Sequence, residues 1–172
     1  AVRSLHALHV KTVLLTGDTQ ASAGRVADEL GIQEVLAEQL PADKSRAVTD
    51  LKNSGQLVAM VGDGINDAPA LAAADVSFAM STGTDVAMHT ADITLMRADP
   101  GLVAHSIDIS RRTYNKIKQN LFWAFVYNAV GIPLAALGYL NPVLAGTAMA
   151  LSSVSVVTNA LMLRNWKPRQ GD

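Results

Sequence analysis

The sequence predicts an α/β domain built on a parallel sheet, followed by an α-helical transmembrane hairpin. Short apolar runs alternate with helical patterns through the first part of the chain, which is typical of parallel sheets. Two of these runs end in aspartates, Asp18 and Asp63, and such sheets bind ligands beyond the carboxyl ends of their strands. No charged residue occurs in residues 121–163, which predicts that the C-terminal part lies in a lipid bilayer and not in water.

The predicted elements follow in order from local signals. Residues 13–15 form the first strand, and a helical pattern follows to Leu30, where Gly31 ends it. A second helix opens at Pro41, which suits the first helical position, and stops before Gly55. The remaining predicted strands are residues 34–37, 57–61, 76–79 and 93–96, with short helices at 68–74 and 85–89.

The stretch MVGDGINDAPAL, residues 60–71, has the strongest chemical signal. Asp63 stands between two glycines, and Asp67 follows four residues later. Glycines let the backbone turn sharply and approach a ligand, and carboxylate oxygens suit Mg²⁺. Taken alone, Gly-Asp-Gly is more typical of a plain turn than of a metal site.

Two further segments offer groups for a phosphoryl ligand. Thr16 has a hydroxyl and adjacent backbone amides, and Lys44 supplies a positive charge. Singly, the first is a turn with a helix cap and the second a solvated lysine. Together with Asp63 they are the parts that phosphoryl transfer requires, because that reaction depends on positioning and charge neutralisation.

In the order TGD, PADK, GDGINDAPAL, the sequence resembles the phosphorylation domain of P-type ATPases, a branch of the haloacid dehalogenase-like phosphotransferases. The resemblance implies ATP as the substrate and Mg²⁺ held by Asp63 with Asp67. The family's nucleophile is the aspartate of a DKTGT motif, which this sequence lacks, as it lacks the ATP-binding insert. We therefore interpret the chain as the C-terminal portion of such an enzyme and expect no ATP hydrolysis from it alone. The residues implied around the phosphoryl group are Thr16, Gly17, Asp18, Lys44, Asn66 and Asp67.

The remainder of the chain has the pattern of a stalk and a membrane hairpin. Residues 1–99 belong to the phosphorylation domain, 100–119 to a stalk helix, 120–164 to two transmembrane helices and 165–172 to a cytoplasmic tail. The spans 120–140 and 143–163 have 21 residues each, about 31 Å as helix, which is enough to cross a bilayer. Basic residues at both outer ends place those ends in the cytoplasm. A pair of buried core helices is the alternative.

Polar residues in the two spans are candidates for a functional site, since they are costly in lipid. Tyr127 and Asn128 lie in the first span, and Met149 and Ser153 lie on one face of the second. Helix packing and apolar filling are the alternatives. YN followed by MALSS resembles the last two membrane helices of Cu(I)-transporting P-type ATPases, which implies that these four residues contact the transported Cu(I). A thioether suits that soft ion.

The resemblance implies a Cu(I) export pump, with Ag(I) as a second cargo, working through an aspartyl phosphate in a multi-pass cell membrane protein. It implies three partners: the lipid bilayer, the N-terminal remainder of the pump and a copper chaperone. A net charge of -1 gives no indication of a nucleic-acid partner. The alternatives are a non-catalytic membrane-anchored fragment and a divalent heavy-metal pump. Against the latter, both spans lack the charged residues that zinc and cadmium pumps have there.

Overall fold

The computed structural model describes residues 1–139 and 141–166. The chain forms two compact units, of which the first begins at Ala1 and ends at Ala104 and the second begins at His105. The last residue of the first predicted span, Leu140, and most of the predicted tail, residues 167–172, lie outside the described residues.

The first unit alternates helices and strands, as the sequence predicts. Helix α1, Val2–Ala7, precedes the alternation and has no counterpart in the predictions. The third strand starts two residues later than predicted, because the Val58 amide donates to the Asp75 carboxylate at 2.9 Å and Leu57 is 93% exposed. The other elements are β1 Val13–Leu15, α2 Gln20–Leu30, β2 Glu34–Leu36, α3 Pro41–Asn53, β3 Ala59–Gly62, α4 Ala68–Ala73, β4 Val76–Met80, α5 Asp85–Thr90 and β5 Ile93–Leu95, with a 3₁₀ turn at Ile65–Asp67.

All strand pairs are parallel, but the strands form two sheets. Strands β1 and β2 pair with each other, and the second sheet has the order β3-β4-β5. Both sheets contribute to one core, since Leu15 of β1 packs against a buried cluster that includes Met60 and Leu71. Within the described ranges, β1 and β3 each keep one edge without a strand partner.

A buried polar contact joins β4 to the start of β5. The backbone amide and hydroxyl of Ser77, which is 2% exposed, both donate to Oδ2 of Asp92 at 2.8 Å. These hydrogen bonds stabilise the ionised carboxylate and hold the pKa of Asp92 below its ordinary value. The Val58 amide, with Lys52 nearby, lowers the pKa of Asp75 in the same way.

The second unit consists of two long helices. Helix α6, Gly101–Ala136, starts in the first unit and joins the predicted stalk to the first predicted span without a break. Helix α7, Pro142–Leu161, ends in a 3₁₀ turn, Met162–Asn165. In the part of the chain that the structure describes, one helical stretch is long and apolar enough to cross a membrane, Ala145–Arg164 with a mean hydropathy of 1.4. The first span stays a prediction.

Large apolar side chains are exposed along both helices of the second unit. The most apolar part of Ala145–Arg164 has no residue that is buried inside the structure. This helix is therefore not a core helix of the second unit. Exposed apolar surfaces of this kind are typical of contacts with lipid or with other proteins. The exposed side chains include Leu121, Phe122, Phe125, Val130 and Ile132 on α6 and Met149, Leu151, Val154, Val157 and Leu161 on α7.

Candidate functional site

The loop after β1 is held by backbone hydrogen bonds to the loop after β2. The Thr16 carbonyl accepts from the Gln39 amide at 3.0 Å, and the Asp18 carbonyl accepts from the Glu38 amide at 2.8 Å. Thr16 Oγ1 accepts from the Asp18 amide at 3.1 Å, which leaves the hydroxyl proton available to donate. Gly17 and Asp18 are exposed, so this turn presents a hydroxyl and a backbone amide to solvent.

The turn after β3 is built by close backbone approach. A Cβ on Gly62 would lie 2.7 Å from Cβ of Asp67, and a Cβ on Gly83 would lie 2.5 Å from the Asp63 carbonyl oxygen. That carbonyl also accepts from the Thr84 amide at 2.8 Å. The main chain of Asp63 is therefore held against the Gly83-Thr84 segment. Its carboxylate is exposed and makes no hydrogen bond within residues 1–139 and 141–166.

Lys44, in the first turn of α3, forms an ion pair with Asp67. The Nζ to Oδ1 distance is 2.7 Å, and the two side chains are only 14% and 13% exposed. The other oxygen of Asp67, Oδ2, accepts from the Gly64 amide at 3.3 Å. Ser45 Oγ donates to the Pro69 carbonyl at 3.3 Å, which joins the same two segments a second time. The Lys44 ammonium group is thus fixed by Asp67 and largely buried, unlike that of a solvated surface lysine.

The structure therefore separates the predicted site residues into groups. Lys44 and Asp67 are in direct contact, and Asp63 lies in the same turn as Asp67 and Asn66, whose side chain is exposed. The described hydrogen bonds do not join the Thr16 turn to either group. Sequence reasoning missed Gly83 and Thr84. Their position in a Ser-Thr-Gly-Thr loop directly after β4, at the carboxyl end of a parallel strand, is the signal that could have found them.

The donor set at this turn fits Mg²⁺ with few protein ligands. The described residues contain no cluster of three or more His, Cys, Asp or Glu side chains. Both oxygens of Asp67 already accept from the protein, so Asp63 is the carboxylate with free oxygens. Mg²⁺ commonly binds through one or two carboxylates and keeps its waters and phosphate ligands. Asp63 could hold the ion in that manner, with Asp67 acting on Lys44.

The cleft between α6 and α7 brings the four predicted transport residues together. It has a volume of about 680 Å³, and Tyr127 and Asn128 line it from α6 while Met149 and Ser153 line it from α7. Asn128 Nδ2 donates to the Ala124 carbonyl of its own helix at 2.8 Å. Its amide oxygen has no donor within the described residues. The other lining side chains are uncharged.

Known proteins match the chain over nearly its whole length. A family model described as haloacid dehalogenase-like hydrolase matches residues 1–75. The copper-exporting P-type ATPase of Staphylococcus haemolyticus is 54% identical over 167 residues, which is 97% of this chain and 21% of that protein. The probable copper-transporting ATPase PacS of Synechococcus elongatus is 55% identical over 175 residues, 98% of this chain and 23% of that protein.

Over nearly its whole length, the chain is homologous to P-type ATPases. A solved structure agrees with this: a zinc-transporting PIB-type ATPase is 42% identical with a TM-score of 0.86, covering 94% of this chain and 26% of that one. The chain spans about one fifth of the length of the curated P-type ATPases it matches. The family resemblance and the haloacid dehalogenase-like parallel fold predicted from the sequence are both confirmed.

Proposed function

We propose that the chain is the C-terminal portion of an ATP-driven Cu(I) export pump that also accepts Ag(I) and works through an aspartyl phosphate. The observation that carries the proposal is the cleft between α6 and α7, which Tyr127, Asn128, Met149 and Ser153 line together. The Met149 thioether suits a soft monovalent ion, whereas the Tyr, Asn and Ser oxygens do not select one on their own. The identity of 54% to a copper-exporting relative supports the same cargo.

A divalent cargo is the second candidate, because the similar structure is that of a zinc-transporting ATPase. The cleft lining contains no carboxylate and no other charged side chain. A divalent ion in an apolar setting needs compensating negative charge. The neutral lining therefore favours Cu(I) over Zn²⁺.

The phosphoryl-transfer role is distributed over three positions of the first unit. Lys44 would neutralise charge on the phosphoryl oxygens, with Asp67 positioning its ammonium group. The Thr16 hydroxyl and the Gly17 amide of its turn would donate to the same oxygens. Asp63 would hold Mg²⁺, which supplies charge stabilisation when bound.

The acceptor aspartate would come from the remainder of the pump. Strands β1 and β3 each have an edge that no described strand covers. A further parallel strand that paired with both edges would end beside Thr16 and Asp63, because the carboxyl ends of parallel strands meet at one side of a sheet. The N-terminal remainder would in this way complete the sheet and the phosphorylation site.

We also propose a multi-pass membrane topology with both chain ends in the cytoplasm, and a copper chaperone as the donor of the metal ion.

Replacing Met149 tests the cargo. In the full-length pump, Met149→Ala should raise the Cu(I) concentration needed for half-maximal ATPase activity by at least about ten-fold, since a soft ligand is lost. Phosphorylation from inorganic phosphate should be unchanged. Leu151→Ala is the matched control, because it removes an exposed side chain of similar size from α7 outside the cleft lining.

The copper assignment is wrong if Zn²⁺ stimulates turnover and Cu(I) does not. It also fails if Leu151→Ala shifts the Cu(I) dependence as much as Met149→Ala does. The non-catalytic alternative is tested by the gene upstream of Ala1, where an in-frame DKTGT motif and a Cys-Pro-Cys motif are expected. A start codon near Ala1 would favour the membrane-anchored fragment instead.

Gly83→Ala is expected to slow phosphorylation of the full-length pump by about 10²-fold, because displacement of a site by an ångström has costs of that order. The new Cβ would lie 2.5 Å from the Asp63 carbonyl oxygen, a backbone atom that moves only with Asp63 itself. Gly24→Ala serves as the control, since no atom lies within 4 Å of its added Cβ. Equal phosphoenzyme formation rates in the two variants would contradict a positioning role for Gly83.

A further inference from the structure

A second pocket lies in the second unit, beside the 3₁₀ turn that follows α7. It has a volume of about 250 Å³ and is separate from the cleft that holds Met149. Helix α6 lines it with four polar side chains at a spacing that puts them on one helix face, Arg112, Asn115, Lys116 and Gln119. The opposite wall is largely apolar and includes Met162 and Trp166.

The pocket is cationic, and one of its charges has no counter-ion among the residues that the structure describes. Arg112 pairs with Asp108 at 2.9 Å. Lys116 donates to the neutral Asn159 Oδ1 at 2.6 Å, and no carboxylate of the described chain lies within ion-pair distance of its ammonium group. Asp108 is the single acidic residue from 105 to 166, a segment that contains five lysines and arginines. An anion in the pocket would therefore meet an uncompensated ammonium group.

The position of the pocket along the helices indicates which anion reaches it. Met162 and Leu163 belong to the last turn of the apolar stretch Ala145–Arg164, so they would lie where that span meets the membrane surface. The Trp166 indole donates to Asp108 Oδ2 at 2.8 Å, and tryptophan is typical of that level of a bilayer. Phospholipid phosphates lie at the same level, with acyl chains directed towards the apolar span.

We propose that this pocket binds the phosphodiester headgroup of an anionic phospholipid in the cytoplasmic leaflet. Lys116 and Arg112 attract the phosphate, Asn115 and Gln119 donate hydrogen bonds to it, and the apolar wall contacts the glycerol and upper acyl chain. Basic pockets between membrane helices have this binding chemistry. The inference rests on the membrane topology proposed above and goes beyond it by assigning a lipid site.

The test uses the purified full-length pump in detergent, with bound phosphatidylglycerol or phosphatidylcholine counted by native mass spectrometry. Wild type should retain phosphatidylglycerol in preference to phosphatidylcholine. Lys116→Gln should lower phosphatidylglycerol retention about five-fold, the effect of one basic residue near anionic lipid. Asn115→Glu should lower it similarly by repulsion. Asn115 is exposed and makes no described hydrogen bond, so this variant keeps the fold.

Two controls carry the same charge changes on α6 outside the pocket, and both should match wild type. Lys118→Gln removes a charge whose ammonium lies 5.6 Å from the Tyr114 ring centroid, and Ser110→Glu adds a carboxylate at an exposed position. An equal loss in the controls, or no loss in both pocket variants, overturns the proposal. Displacement of the lipid by inorganic phosphate, at an ionic strength matched with chloride, overturns it in favour of a soluble phosphate.

Copper-stimulated ATPase activity of the same wild-type preparation, measured separately in phosphatidylcholine vesicles, keeps the two proposals apart. A copper-stimulated pump without a preference for phosphatidylglycerol refutes the lipid site alone. A preference for phosphatidylglycerol in a protein that copper does not stimulate supports the lipid site and refutes the proposed cargo.

Discussion

Asp63→Asn is expected to abolish phosphorylation of the full-length pump, from ATP and from inorganic phosphate, without lowering its thermal stability. The carboxylate is exposed, and no hydrogen bond from the described residues reaches it. The main chain at this position is held through its carbonyl by Thr84, a contact that the substitution leaves in place. Asparagine removes the charge that binds Mg²⁺, and loss of several kcal/mol of charge stabilisation corresponds to about 10³-fold in rate.

The measurement is the phosphoenzyme level as a function of Mg²⁺ concentration, together with the midpoint of thermal unfolding. Asp85→Asn is the matched control, since Asp85 is also exposed and follows Thr84 directly in the first turn of α5. The control should phosphorylate like wild type. If Asp63→Asn retained phosphorylation, or unfolded well below the control, Asp63 would not be the metal-binding carboxylate proposed here.

The different environments of the two aspartates were not predictable from the sequence. Both lie in one Gly-rich turn, and the sequence interpretation placed both at Mg²⁺. The contact that distinguishes them comes from Lys44, which lies 23 residues before Asp67. An ion pair of that separation depends on how α3 packs against the turn, and no local pattern reports it. The chemical type of the site was predictable because strand ends, glycines and carboxylates are local features.

The features of the fold that depend on neighbouring residues were also predictable from the sequence, whereas those that depend on distant residues were not. Helix α2 ends at Leu30 as predicted, because Gly31 adopts a left-handed conformation with φ 74°. The predicted start of β3 was wrong by two residues, because the Val58 amide donates to the Asp75 carboxylate, which lies 17 residues later in the chain. The separation into two sheets likewise depends on pairing between distant strands. Apolar patterns locate strands but do not report which edges meet.

Lys44→Met is expected to abolish phosphorylation and also to destabilise the first unit, in contrast to Asp63→Asn. The Asp67 side chain is 13% exposed. Removing its cation therefore leaves a largely buried carboxylate whose one remaining partner among the described residues is the Gly64 amide. Truncating one member of such a pair costs about 2–5 kcal/mol. Lys11→Met breaks an ion pair with Glu34 in which the lysine is 64% exposed, and exposed pairs contribute about 0–1 kcal/mol. The thermal midpoint of Lys44→Met should therefore lie clearly below that of Lys11→Met.

A second substitution separates the structural role of Lys44 from its chemical role. Asp67→Asn in the Lys44→Met background removes the unpaired charge, so it should recover part of the lost stability. Phosphorylation should stay absent, because no cation is restored to the phosphoryl site. Recovery of phosphorylation along with stability would mean that Lys44 acts only by holding the turn that contains Asp63. If the double variant recovered neither stability nor phosphorylation, Lys44 would stabilise the turn for a reason other than the charge of Asp67. The ion-pair argument would then be wrong.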